Sequence, residues 1–149
     1  MNPYDVIKAQ LGQVVPFQNH VGIELLEVGD GVASARMTQR KETSNHISTQ
    51  HAGAMFTLGE AASGAAMAGA MASVILQVRP VAAKAEIAFT KIAKGTLTAH
   101  GKTSQPSAAL LDELEKIGKV SFEVQVDIKD EEGDTVVEMR IDWHLSKRS

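Results

Sequence analysis

Hydrophobic and polar residues follow two periods along the chain, and these periods predict where strands and helices lie. A period of two is strict over residues 120–128 and 137–145, which predicts two strands with one buried face each. Hydrophobic residues spaced three and four positions apart predict an amphipathic helix over residues 3–15 and a shorter helix over 104–118. The pattern therefore predicts a chain that combines strands and helices.

Glycine-containing turns between the hydrophobic segments predict that the strands form antiparallel hairpins. Gly31, Gly95 and Gly133 each lie in a short polar turn between two segments of strand character. The three predicted hairpins join residues 22–27 to 32–37, 83–93 to 96–103, and 120–128 to 137–145.

A long segment of small residues lies between the second and third predicted strands. Residues 52–76 are mainly Ala, Gly, Met and Ser, and we expect Arg79-Pro80 to close the helix that they form. Small side chains let a sheet approach a helix closely, so we expect an antiparallel sheet of about six strands curved around this helix. The prediction is one α+β domain that spans residues 1–149.

Composition excludes some classes of function but does not identify the function. The chain has 149 residues, of which 44% are hydrophobic and 22% charged, as in ordinary globular proteins. A formal net charge of -3 disfavours nucleic acid as a partner, and the absence of cysteine excludes disulfides and thiolate metal sites. The longest uncharged segment, residues 61–76, is short for a bilayer span. The N-terminal residues lack a signal-peptide pattern, so we expect a cytoplasmic protein with no membrane partner.

The junction between a polar loop and the long helix holds the candidate chemistry. Residues 45–51 are mostly polar, and Gly53 lies in the first helical turn that follows. The first turn of a helix offers unpaired backbone N–H groups and the positive end of the helix dipole, and a glycine lets an oxygen atom approach without meeting a Cβ. Gly53 is therefore a candidate for stabilising an oxyanion.

Glu60 is the only charged residue between Ala52 and Leu76. It follows Gly53 by nearly two helical turns, so both lie on similar faces, about 10.5 Å apart along the axis. Burial would raise the pKa of the Glu60 carboxyl and suit it as a general base or nucleophile. The alternative is that Glu60 reaches solvent or pairs with a lysine or arginine.

These residues resemble the pattern of a known family. Asn45, His51-Ala52-Gly53 and Leu58-Gly59-Glu60 are similar to the pattern N-x5-H-G-G-x4-L-x-[DE] of hotdog-fold acyl-CoA thioesterases of the phenylacetyl-CoA thioesterase type. The spacing from Asn to His and from His to the acidic residue matches, and the resemblance covers roughly residues 18–146. It implies the hotdog fold, in which an antiparallel sheet wraps one central helix.

The resemblance also implies residue roles and a partner. By it, the Gly53 N–H polarises the thioester carbonyl, Glu60 acts as base or nucleophile, and Asn45 and His51 lie around the thioester. In this family the acidic residue comes from the partner chain across a dimer interface, which agrees with the separation of Gly53 and Glu60 along the helix. We therefore expect an acyl-CoA substrate, no cofactor, and a homodimer or homotetramer.

The chain departs from the family pattern at three places. Ala52 replaces the first glycine of the usual pair, Glu60 replaces the commoner Asp, and the helix over 104–118 is an insertion relative to the shortest members. Glutamate is longer by one methylene, which bears on the choice between direct attack on the thioester and activation of water. These departures concern substrate and mechanism more than fold.

Other residues have weaker assignments. Ser63 and Met67 continue the same helix face and are candidates for substrate contact, although helix packing explains both as well. Arg79, Lys91 and Lys94 are candidates for binding the phosphates of coenzyme A, although surface charge is the usual explanation. The histidines lack the spacing of a metal site, so we expect no metal.

Two other functions stay open for the same fold. A non-catalytic hotdog protein would bind an acyl thioester or another apolar ligand without turnover. A hydratase or dehydratase would pair His51 with Glu60 on an acyl thioester. Only hydrolysis releases a free thiol, so the products separate the three functions.

Overall fold

The computed structural model describes residues 2–149, which contain six strands and four α-helices. Short 3-10 turns lie at Lys41–Thr43 and Ile75–Gln77. The elements follow the order α1 (Pro3–Val14), α2 (Pro16–Val21), β1 (Ile23–Gly29), β2 (Val32–Met37), α3 (Ala52–Ala70), β3 (Val78–Phe89), β4 (Leu97–Thr103), α4 (Ser107–Ile117), β5 (Lys119–Lys129) and β6 (Thr135–Lys147).

All six strands form one antiparallel sheet in the order β1-β2-β4-β5-β6-β3. α3 packs across one face of this sheet and contacts β1, β2, β4, β5 and β6. β3 lies beyond these strands, at the edge of the sheet. The predicted α+β class, the six strands and the central helix are confirmed.

Small residues let α3 lie close to the sheet. A Cβ on Gly101 of β4 would lie 2.8 Å from the carbonyl oxygen of Ala62, and a Cβ on Gly69 would collide with the carbonyl oxygen of Gly29. Real Cβ atoms do not approach backbone so closely, so these positions require glycine. The close helix-to-sheet contact expected from composition is confirmed.

The first and third predicted hairpins are confirmed, and the second is wrong. β1 pairs with β2 and β5 pairs with β6, but β3 pairs with β6, while β4 lies between β2 and β5. Alternation identifies a strand and its buried face, but it does not select among partners of similar character. The turn at Gly95 therefore begins a crossover instead of a hairpin.

The central helix is shorter than the sequence predicts. It ends at Ala70, and Arg79-Pro80 lies inside β3 instead of closing the helix. Pro80 fits a strand here because β3 is at the edge of the sheet, where a missing N–H costs no pairing. Residues 71–76 are uncharged and contain no residue that signals the end of a helix. The sequence therefore predicts a helix that is too long at its C-terminal end.

The two amphipathic helices are confirmed as α1 and α4, and Gly118 caps α4 in the left-handed conformation with φ 86°. α2 is an addition: Pro16 occupies its first turn, the position that proline favours. Within residues 2–149, no helix is both long and apolar enough to cross a lipid bilayer.

Candidate functional site

Asn45 shapes the loop that precedes α3. Its Oδ1 accepts hydrogen bonds from the backbone N–H groups of Ile47 and Thr49, both at 3.0 Å. Its Nδ2 donates to Thr49 Oγ1 at 2.7 Å. Asparagine favours such turns because its short amide bonds nearby backbone. The side chain is thus engaged within its own loop and holds that loop against the helix start.

His51 caps the N-terminus of α3. Its exposed ring accepts a hydrogen bond at Nδ1 from the backbone N–H of Gly53, at 2.8 Å. The N–H that the sequence assigns to a thioester oxygen is therefore bound by His51 in this structure. An oxygen that uses this N–H must first displace the ring.

Glu60 lies half-buried on α3, and its carboxyl has no charged partner among the described residues. Burial raises the pKa of Glu60 above its ordinary value, the direction that an apolar helix predicts. Of the two alternatives from the sequence, a pairing with lysine or arginine is absent from the described residues, whereas the side chain is partly exposed to solvent. The carboxyl is thus weakly solvated and more basic than an exposed glutamate.

Trp143 of β6 and Gly64 of α3 shape the space around this carboxyl. A Cβ on Gly64 would lie 3.4 Å from Trp143 Cζ2 and 3.8 Å from Glu60 Oε1. The carboxyl and the indole ring therefore both lie close to the helix at Gly64.

Ser63 joins Trp143 to the helix backbone. The Trp143 indole N–H donates to Ser63 Oγ at 3.2 Å, and Ser63 Oγ donates to the carbonyl oxygen of Glu60 at 2.8 Å. Ser63 is fully buried, and Met67 lies in the core with 4% exposure. The hydroxyl of Ser63 is used inside the protein, where it fixes the ring beside Glu60.

Glu60 and Gly53 lie on the same continuous helix, seven residues apart. At 1.5 Å per residue, this places them about 10.5 Å apart along the helix axis. The structure therefore does not bring the Glu60 carboxyl and the Gly53 N–H together within one chain.

Lys91, one of the three cationic candidates, is held by acidic side chains at the β5–β6 turn. Lys91 Nζ lies 2.7 Å from Asp134 Oδ2 and 3.1 Å from Asp130 Oδ2, and these bonds raise its pKa. With Glu132, the same carboxylates form a group spaced closely enough to hold a metal ion. The ammonium of Lys91 offsets one of their three negative charges. Lys91 is therefore bound by acidic side chains of the chain itself.

Sequence reasoning missed a cleft beside the helix start. Its volume is about 290 Å³, and its two walls are residues 45–55 and 89–93. Gln50 lines it, and no pattern in the sequence singles this residue out. A larger groove of about 1050 Å³ crosses the sheet, but none of the candidate residues lines it. The smaller cleft is thus the concave feature next to the candidate chemistry.

The raised pKa of Glu60 predicts a pH-dependent stability. A carboxyl whose pKa is higher in the folded chain stabilises it fully below the ordinary pKa of about 4.5, and loses this contribution as the pH rises through the raised value. We expect the free energy of unfolding of the wild type to fall relative to Glu60→Gln as the pH rises above 4.5. Urea unfolding of both proteins across a pH series measures this, and a pH-independent difference would contradict it.

The chain matches a known protein family over most of its length. The family described as Domain of unknown function (DUF4442) matches residues 5–145, nearly the whole chain. The chain belongs to this family. No curated protein matches it.

Solved structures with the same fold cover most of the DUF4442 chain. A protein of unknown function from Pseudomonas aeruginosa, described as a probable thioesterase, is 23% identical, with a TM-score of 0.84 over 99% of this chain and 97% of its own. The PaaI protein of the phenylacetic acid degradation operon of E. coli is 19% identical, with a TM-score of 0.74 over 99% and 94%. The fold is therefore the hotdog fold.

A thioesterase from Staphylococcus aureus is also similar, at 17% identity with a TM-score of 0.72 over 89% of this chain and 99% of its own. It was solved as a variant in which a glutamine is replaced by alanine. A second structure of the same protein has alanine in place of a glutamate fifteen positions later.

Proposed function

We propose that the protein is an acyl-CoA thioesterase that hydrolyses an acyl thioester to a free acid and CoA. The observation that carries this proposal is Glu60, a half-buried and unpaired carboxyl with a raised pKa. A structural glutamate in an apolar helix would be paired or fully solvated, because an unpaired buried charge is costly. The thioesterase descriptions of proteins with the same fold support the proposal.

In this proposal the site is shared between two copies of the chain. β3 is a twelve-residue edge strand whose residues are almost all exposed, including Val81 at 48% and Phe89 at 48%. Such an edge is a template for pairing with another strand. Antiparallel pairing of two β3 strands puts the Phe89 end of one beside the Ala82 end of the other. We propose that this pairing brings the partner's Glu60 towards the helix start of this chain.

The Gly53 N–H serves the oxyanion in the proposed reaction. Releasing the His51 cap costs about 1 kcal/mol, whereas a hydrogen bond to a charged oxygen contributes about 1.5–3 kcal/mol. The exchange therefore favours the oxyanion over the neutral imidazole. Asn45 keeps the loop in place while the exposed ring of His51 turns away and lies beside the thioester.

The partner's Glu60 activates water in the proposed reaction. Its carboxylate takes a proton from a water molecule, and the water oxygen bonds to the thioester carbon. The C–S bond then breaks, the thiolate takes up the proton, and acid and CoA leave. Direct attack by the carboxylate is the variant that the extra methylene of glutamate permits. Ser63 acts as a positioning residue through Trp143, and Met67 lies below the same helix face.

The two altered positions in the Staphylococcus aureus thioesterase support this choice of residues. They are separated by fifteen positions, the separation between Asn45 and Glu60. An amide and a carboxylate at this spacing lie before and within the central helix of this chain.

Thiol release from a panel of short, medium, long and aromatic acyl-CoAs tests the proposal. We expect turnover of at least one member by the wild-type protein. A folded oligomer that binds members of the panel without releasing thiol would contradict it.

One observation favours a second candidate, a hotdog protein that binds a thioester without hydrolysing it. The His51 ring occupies the Gly53 N–H at 2.8 Å, which would leave the thioester carbonyl unpolarised if the ring stays. Saturable binding of an acyl-CoA with no product would support this candidate.

A further inference from the structure

Three polar side chains form a row across the sheet at the end where β3 and β5 begin. Ser146 of β6 pairs directly with Arg79 of β3 on one side and with Lys119 of β5 on the other. Directly paired residues point to the same face, and this face is opposite the core because the neighbouring Leu145 is fully buried. Each cation has its Cα about 5 Å from that of Ser146. These three residues form a basic row.

Other hydrogen-bonding groups border the basic row. In the next row of the same face, Ser121 Oγ and His144 Nδ1 share a hydrogen bond of 2.7 Å. Arg148 directly follows β6, and its Nε donates to the carbonyl oxygen of Val78 at 3.1 Å, which holds the side chain beside β3. The exposed guanidinium of Arg148 thus adds a third cation next to Ser146.

The two cations of the basic row are unpaired. Neither Arg79 nor Lys119 forms an ion pair within residues 2–149. Four other cations on this face each pair with an acidic side chain: Arg36, Lys84, Lys129 and Arg140. On β5 and β6 the nearest acidic residues of this face are Glu123 and Asp142, about 13 Å along the strands. The chain has a net charge of -3, so this end of the sheet is a local exception.

Unpaired cations on either side of a hydroxyl suit a phosphate group, because arginine and lysine donate charge-assisted hydrogen bonds to phosphate oxygens. We propose that Arg79, Lys119 and Ser146 bind a phosphate group, and that this group belongs to coenzyme A. The inference rests on the proposed function, because it locates the phosphate end of the same substrate. Arg79 is a phosphate candidate from the sequence, and the structure adds the other two residues.

The basic row lies near Glu60 but on the opposite face of the sheet. Trp143, beside Glu60, precedes Ser146 by three residues, about 10 Å along β6. The three strands begin or end within one residue of the row. An extended pantetheine arm is longer than 10 Å, so it can pass from the α3 face over the end of the sheet to the row. One chain then supplies both Glu60 and the phosphate site.

Pairing of two β3 strands leaves the basic row open. Such pairing uses the backbone groups at the edge of β3, whereas the side chain of Arg79 stands on the face of the sheet. The row therefore stays accessible to a ligand in the proposed dimer.

Two exposed hydrophobic side chains lie along this route. Leu76, which is 76% exposed, precedes β3, and Ile117, which is 62% exposed, precedes β5. The pantetheine arm carries two methyl groups, which such side chains can cover from water. This apolar rim agrees with an arm that crosses the end of the sheet.

Calorimetry with CoA and with pantetheine tests the inference without turnover. The two ligands share the thiol arm, and only CoA carries phosphates. We expect the double variant Arg79→Ala/Lys119→Ala to bind CoA about tenfold more weakly than the wild type does, with no change for pantetheine. Lys102→Ala is the matched control, because Lys102 is an exposed and unpaired cation on the same face of β4. It should change neither dissociation constant.

Kinetics with matched substrates give a second readout. An acyl-CoA and the corresponding acyl-pantetheine present the same thioester to the site. We expect the double variant to lower the ratio of kcat/KM for acyl-CoA to that for acyl-pantetheine about tenfold. A purely structural effect of the two substitutions would lower both values alike and leave the ratio unchanged, which would contradict the inference.

Inorganic phosphate distinguishes a free phosphate from the phosphates of CoA. Binding of inorganic phosphate as tight as that of CoA would overturn the assignment to CoA. CoA binding that survives the double variant, or that is lost equally in Lys102→Ala, would overturn the site itself. Weaker CoA binding by the double variant of a protein that hydrolyses no acyl-CoA would contradict the proposed function and support the phosphate site, so the two failures are distinguishable.

Discussion

Replacing Glu60 with alanine is expected to lower kcat on the best acyl-CoA by about 100-fold or more. The variant removes the one unpaired carboxyl of α3, and no other acidic residue lies on this helix to replace it. The fold should stay intact, because the half-buried carboxyl contributes desolvation cost and no ion pair. Thiol release measures kcat, and circular dichroism with thermal unfolding checks the fold.

Two further variants sharpen this experiment. Glu60→Gln keeps the shape of the side chain and removes its basicity, so it should lose as much activity as Glu60→Ala. Glu113→Ala is the matched control, because Glu113 is an exposed glutamate on α4. An unchanged kcat in either Glu60 variant would remove this residue from the mechanism.

Replacing Ala85 with lysine is expected to separate the subunits and abolish turnover together. Ala85 is exposed in the middle of the edge strand β3, where it pairs with Ile141 of β6. Because its side chain is exposed in the single chain, a lysine there does not bury a charge in the core of one chain. In a pair of antiparallel β3 strands it would set two like charges close to the two-fold axis. We expect a folded monomer whose thiol release is at least 100-fold below that of the wild type.

Light scattering and thiol release, measured on the same samples, check this expectation. Ala109→Lys adds the same charge at an exposed position on α4 and should change neither the mass nor the rate. A monomeric Ala85→Lys protein with wild-type activity would show that one chain carries a complete site. That result would contradict the proposal that Glu60 of one chain and Gly53 of the other act on the same thioester.

How far the sequence predicts the fold depends on how local each signal is. The strict alternation of β5 and β6 predicts both strands and their buried faces, because one face packs on α3 and the other does not. The partner of β3 is set by contacts between distant segments, so neither Gly95 nor Pro80 reveals it. Pro80 in particular signals the end of a helix in sequence and an edge strand in the structure.

The features of the candidate site also differ in whether a local sequence signal predicts them. A single charge in an apolar helix is enough to predict that burial raises the pKa of Glu60. The hydrogen bond from Gly53 to His51 is local too, and the position of His51 directly before the helix is a signal for a cap. The basic row depends on the pairing of β3, β5 and β6, so the sequence alone names only Arg79 of its three residues.

Restoration of activity in mixed chains tests the shared site most directly. Gly53→Val obstructs the approach to the helix N-terminus, and Glu60→Ala removes the carboxyl, so each protein alone should be inactive. If Glu60 of one chain serves the helix start of the other, a dimer with one chain of each kind has one wild-type site and one doubly altered site. The account predicts that purified mixed dimers release thiol at about half the wild-type rate per dimer. Mixed dimers as inactive as either parent would contradict it.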